Sequence, residues 1–172
     1  MEAHCRIAGA VAVELCARLE AILPGLLPQG AALPALLHDV GKICPPFQLR
    51  LYEAVNGPDV RQRMPELAHA DTALERTVGG HAAVSSACLT GMGAPISLAR
   101  IVGAHHGRRV RAIAEDAAVA GGTAWMEVRR ELCRRLLGEQ PGWPCFEGLW
   151  ERVVCGLTVT ADWIASGPLF DA

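Results

Sequence analysis

Apolar positions recur at three- and four-residue intervals along most of this 172-residue chain. No stretch alternates apolar and polar residues over the length of a strand, so the pattern predicts helices throughout. Over residues 4–23, Ile7, Val11, Leu15 and Leu19 fall on one helical face, and Pro24, Gly25, Pro28 and Gly30 end the run. A second helix is predicted over 32–41, stopping at Gly41. After Pro45-Pro46 a short one spans 47–55. Residues 57–80 are polar, carry Pro58 and Pro65, and read as loop with a turn or two of helix. Further helices are predicted over 81–90, over 95–106 ending at Gly107, over 123–137 and over 145–166. In the helix over 123–137, Arg129, Arg130, Arg134 and Arg135 form the polar side. The expected fold is all-α, a single globular bundle of helices.

Composition sharpens this reading. The chain is 51% hydrophobic but only 5% aromatic, so its core must be built from Ala, Leu and Val, which suits helices. No apolar run reaches the roughly 18 residues a membrane span needs, and MEAHCRIAG is not a secretory leader. The seven cysteines (5, 16, 44, 88, 133, 145 and 155) form no CxxC pair and are odd in number. They are expected to be reduced small hydrophobes in a cytoplasmic protein. A net charge of −2 does not advertise nucleic-acid binding.

The candidate chemistry lies with the histidines, at 4, 38, 69, 81, 105 and 106. A lone histidine is usually structural, but His4, His38, His81 and His105-His106 are all predicted at helix ends, where loops gather around a cleft. Imidazole is the commonest transition-metal ligand. Neighbours on a helix point about 100° apart, so adjacent pairs serve two ions better than one. In His38-Asp39 the carboxylate is the natural bridge between two ions roughly 3.5–4 Å apart. His105-His106 ends an apolar helix and is expected to be buried. Asp162, in GLTVTADWIAS, is expected on a helix that is apolar nearly all round. A carboxylate there needs a cation beside it, a metal or an arginine. Lys42, the chain's sole lysine against fifteen arginines, follows Asp39 by three residues. It can hold a phosphate oxygen as a compact charge, being no ligand while protonated.

LLHDVGKICPPFQ (36–48), GGHAAVSSA (79–87), IVGAHHG (101–107) and LTVTADWIAS (157–166), in that order, resemble one branch of the HD superfamily of metal-dependent phosphohydrolases. That branch is the HD nuclease domain of the CRISPR-associated helicase-nuclease of type I systems. The resemblance implies an HD-type bundle with its metal site in a central cleft. It implies that His4, His38, Asp39 and Asp162 hold one divalent ion. Asp39 would bridge to a second ion held by His81, His105 and His106, and Lys42 would touch the scissile phosphate. His69 matches nothing in the pattern. Mixed imidazole and carboxylate ligands favour Fe, Mn, Co or Ni over Mg.

The implied activity is metal-dependent hydrolysis of phosphodiester bonds in single-stranded DNA during CRISPR interference, endonucleolytic and then from an end. A helicase domain or subunit and the CRISPR effector complex are the implied partners, with no role for a membrane. No helicase follows within 172 residues, so the chain is expected to be a stand-alone subunit or an N-terminal domain. Arg108, Arg109 and Arg111 in HHGRRVR would add a basic patch beside the metals, or an ordinary solvated charge run. Stacking aromatics are few, so weak intrinsic DNA affinity is expected. Two alternatives share the motif: an HD-type phosphohydrolase acting on nucleotides or cyclic dinucleotides, and a catalytically inactive HD scaffold. The first needs a small enclosed pocket. The second ought to have lost ligands.

Overall fold

The computed structural model of the chain describes residues 1–138 and 142–168. Among these residues there is no strand, and nine α-helices follow one another. They are α1 (Glu2–Ile22), α2 (Leu33–Leu37), α3 (Pro45–Asn56), α4 (Val60–Arg63), α5 (Thr72–Val78), α6 (His81–Gly91), α7 (Ile96–Gly103), α8 (Gly122–Leu137) and α9 (Leu149–Ala165). Short 3-10 turns lie at Val40–Lys42, Pro65–Leu67 and Ala118–Ala120. No described helix is long and apolar enough to cross a membrane.

The all-α architecture agrees with the sequence pattern, and the departures have local causes. In α1 the buried stripe is Cys5, Ala8, Gly9 and Ala12, not Ile7, Val11, Leu15 and Leu19, which lie half-buried at its edges. Small side chains let α1 approach α2 closely; a Cβ on Gly9 would sit 2.9 Å from Leu36 Cδ1. The helix predicted over 32–41 stops at Leu37, and the chain tightens through a 3-10 turn. Gly41 there lies so close to α6 that a Cβ would collide with the His81 carbonyl and the Ser85 amide. Its own N–H donates to Ser85 Oγ at 2.8 Å.

The stretch read as loop over 57–80 holds two short helices and a 3-10 turn. Asp71 caps α5 by accepting from the Leu74 N–H. Gly79 ends α5 at φ 112, and Gly80 follows at φ 73, a left-handed pair that only glycine adopts freely. That double turn delivers His81 as the first residue of α6, the central helix, buried from Ala82 to Ser85 and again from Ala87 to Leu89. The helix predicted to begin at 145 begins at Leu149.

Arg129 is the clearest correction. Expected on the polar side of α8, it is fully buried. Its guanidinium donates to the carbonyls of Ile43, Ala120 and Glu115 at 2.9, 2.6 and 2.7 Å. It thereby ties the exit of the 3-10 turn after Asp39 to α8 and to the loop before it. The other predicted polar-side arginines, Arg130, Arg134 and Arg135, do lie on the outside, each paired with a glutamate. The core is aliphatic, with Phe146 the one fully buried aromatic ring among the described residues apart from histidines. The cysteines are free; four are buried, two half-buried, and Cys145 is exposed.

Candidate metal centre

Five separate segments bring the predicted ligands together. His4 comes from the first turn of α1, His38 caps α2, and Asp39 follows it. His81 opens α6, His105 and His106 follow α7, and Asp162 lies in the last turn of α9. Two groups of ligand atoms form: His4, His38, Asp39 and Asp162 in one, His81, His105 and His106 in the other. Within each, the atoms lie within 4.8 Å of one another.

Asp39 joins the groups. Its Oδ2 lies 3.2 Å from His4 Nε2 and 3.4 Å from His38 Nε2, whereas Oδ1 lies 3.1 Å from His81 Nε2 and 3.7 Å from His105 Nε2. Asp162 Oδ1 closes the first group, 3.2 Å from His4 Nε2 and 3.1 Å from His38 Nε2. His106 Nε2 closes the second, 3.0 Å from His81 Nε2.

The imidazoles are presented in a defined tautomer. His38 Nδ1 lies 2.7 Å from the Ala35 carbonyl and His105 Nδ1 lies 2.6 Å from that of Val102. A carbonyl oxygen has no proton to give, so Nδ1 must donate, and Nε2 is the nitrogen left to take a proton or a metal ion. Yet Nε2 of His4, His38 and His105, with both Asp39 oxygens, are buried without a hydrogen bond that satisfies geometry. So many orphaned acceptors in one place carry a large desolvation cost unless a cation occupies the space between them. The donor set of imidazole nitrogens and carboxylates therefore fits divalent transition-metal ions.

Charge in the two groups differs. Burial works against protonating His38, but the carboxylates of Asp162 and Asp39 outweigh it and raise its pKa to about 9. His4 is raised too, by its contacts with Asp162 and Asp39. Both carboxyls are buried, which alone would raise them, yet the neighbouring imidazoles hold each well below the usual carboxylate range. In the second group burial dominates: His105 is pushed down to about 3, and His106 is lowered by burial and by His81. The first group thus attracts positive charge, as protons or as a metal ion, while His105 stays neutral.

Several expectations need correcting. The helix before His105-His106 ends at Gly103, so the pair lies in a turn instead of the last helical turn. Freed of helical geometry, the two rings stand with centroids 4.1 Å apart and join one group rather than serving two ions. His105 is buried but His106 is exposed. The helix carrying Asp162 is not apolar-buried all round, since Trp163 beside it is 75% exposed. Asp162 instead sits at the rim with 14% of its side chain exposed, and no arginine pairs with it among the described residues. His69 is exposed and outside both groups.

Lys42 Nζ forms an ion pair with Asp39 Oδ2. Its ammonium also lies 5.5 Å from the Phe47 ring centroid, and that ring packs edge-on against His81 at 5.2 Å. Phe47 and Ser85 were not predicted to matter. Both fall inside the quoted motifs, but only the folded contact between the 3-10 turn and α6 gives them a role.

A helical bundle with an HD pair at a cleft of clustered imidazoles is the arrangement of a metal-dependent HD hydrolase. Comparison narrows the class: residues 5–170 match the Cas3 HD-domain family, and the chain belongs to it. The match begins one residue after His4. A crystal structure titled as that of a CRISPR-associated protein superposes with a TM-score of 0.67 at 26% sequence identity. It covers 95% of this chain, which spans 20% of that protein's length. No curated protein matches the sequence.

Proposed function

We propose that the chain is a metal-dependent nuclease that hydrolyses phosphodiester bonds of single-stranded DNA in CRISPR interference, using two divalent ions. The observation that carries this reading is the division of Asp39: one carboxylate oxygen faces each imidazole group. That arrangement suits a carboxylate shared between two ions. His4, His38, Asp39 and Asp162 would hold one ion, and His81, His105, His106 and the second Asp39 oxygen the other. Bound ions supply Lewis-acid polarisation of the phosphate and a nucleophile at neutral pH.

The chain's own groups do the rest. The Ala35 and Val102 carbonyls hold Nδ1 of His38 and His105, so that their Nε2 atoms face the cleft, where an ion would displace any proton they carry. Asp39 holds the two halves in register. Lys42, a quarter exposed beside Asp39, is placed to receive a phosphate oxygen as charge develops on it. The mouth is open to solvent at His4, Asp162 and His106, which favours a polymer over an enclosed nucleotide. A helicase domain or subunit is the partner that delivers the strand, within a CRISPR effector complex.

The test is cleavage of a circular single-stranded DNA by Mn-loaded protein, wild type against Asp39→Ala. The wild type should linearise and degrade the circle. The variant should lose activity by several orders of magnitude, and its bound metal, with its helical content intact. Hydrolysis of mononucleotides without cleavage of the circle would replace the nuclease by a nucleotide phosphohydrolase. Metal occupancy well under about one ion per chain after loading with Mn or Co would leave only a scaffold.

A further inference from the structure

Arginine pairing is uneven over the surface. Nine of the fifteen arginines hold an ion pair or a carbonyl; Arg6, Arg18, Arg50, Arg130 and Arg134, for instance, are each bonded to a glutamate. Five of the other six, Arg100, Arg108, Arg109, Arg111 and Arg152, have no side-chain partner among the described residues. They lie on α7, on the segment leaving His106, and in the first turn of α9. In a chain of net charge −2 this is a local concentration of unneutralised positive charge.

Three of these arginines converge. Arg100, Arg109 and Arg152 line one cleft of about 420 Å³ between α7 and α9, with Glu151 its sole carboxylate and Ala104 and Cys155 in its wall. Helix stability does not explain Arg152. A cation in the first turn of a helix opposes the macrodipole, so its place there costs stability. Two of its wall residues lie next to residues of the candidate metal centre. Ala104 directly precedes His105. On α9, Cys155 is seven residues before Asp162, so both face the same side, roughly 10 Å apart along the axis.

We propose that this three-arginine cleft binds a backbone phosphate of the nucleic-acid strand next to the bond being cut. The assignment rests on the nuclease reading above and adds the residues that position the strand. Guanidinium groups suit a phosphate because they bond it in bidentate fashion and are always charged. The cleft fixes the path of the strand: from the metal-facing side of α9 toward its N-terminus.

The test uses Arg100→Gln/Arg152→Gln, two exposed positions, against Arg18→Gln/Arg134→Gln, which removes the same charge elsewhere. Two measurements are made. One is the binding of a fluorescent single-stranded oligonucleotide in EDTA at low salt. The other is Mn-dependent turnover of that oligonucleotide and of bis(p-nitrophenyl) phosphate, a diester too small to reach the cleft. The cleft variant should bind the oligonucleotide about tenfold more weakly, and the salt slope of log K should fall by about 0.7, from the loss of one phosphate contact. KM for the oligonucleotide should rise, with hydrolysis of the small diester unchanged. The control variant should match wild type. Equal affinity and slope in the cleft variant and its control would overturn the proposal, even with nuclease activity intact. Wild type that binds through these arginines but cleaves neither substrate would instead sink the nuclease reading and leave the subsite standing.

Discussion

At the scale of single residues, the site is a problem of protons as much as of metal. His38 is raised to about 9, so without metal it carries a second proton near neutral pH, whereas His105, lowered to about 3, does not. An ion entering the first group must expel that proton, and one entering the second meets a neutral His105. Loading Mn at pH 7 should therefore release protons, measurable by calorimetry in buffers of different ionisation enthalpy. The His38 contribution should vanish as pH rises past about 9. Release that persists unchanged at high pH would contradict the assignment. Lys42→Gln is expected to lower kcat while leaving metal content unchanged, since an ammonium is no ligand. Loss of metal along with activity would mean that the ion pair with Asp39 is structural.

At the scale of elements, close contacts hold the ligands in place. Gly41 lies against α6 with no room for a Cβ, so Gly41→Ala should push the Asp39 turn away from His81. The expected cost is about 1–3 kcal/mol, together with reduced metal occupancy. Arg129→Met keeps the volume but leaves three buried carbonyls without a donor. The expected loss is roughly 3 kcal/mol, seen as a fall in Tm of about 6–12 °C. A change of under a degree would mean that water replaces the guanidinium.

These two positions also show where the sequence was readable and where it was not. The helical periods are local signals and predicted most of the longer helices, whereas the two ligand groups were what the family resemblance of the HD motif and the downstream histidines implied. Arg129 looked like any surface arginine, because its partners lie 9 to 86 residues away in the chain. The buried stripe of α1 was missed because alanine and glycine pack by closeness, not by hydrophobicity. The break after Gly103 was missed because an apolar run says where a helix is buried, not where it ends.

At the scale of the whole molecule, stability and metal binding should be one property, because the ligands come from α1, α2 and the turn after it, α6, the loop after α7, and α9. Anything that binds the folded chain and not the unfolded one stabilises it by mass action. Metal at a hundredfold excess over Kd should add about 2.7 kcal/mol per ion, raising Tm by several degrees, and EDTA should reverse it. No shift on loading would mean that the ligands do not act together. The pairing of His4 with Asp162 reaches across almost the entire polypeptide. On the ribosome, the group they complete cannot form until α9 has emerged and docked beside α1. A chain that has not yet made α9 therefore lacks this group of ligand residues, and the complete cluster arrives only with the finished fold.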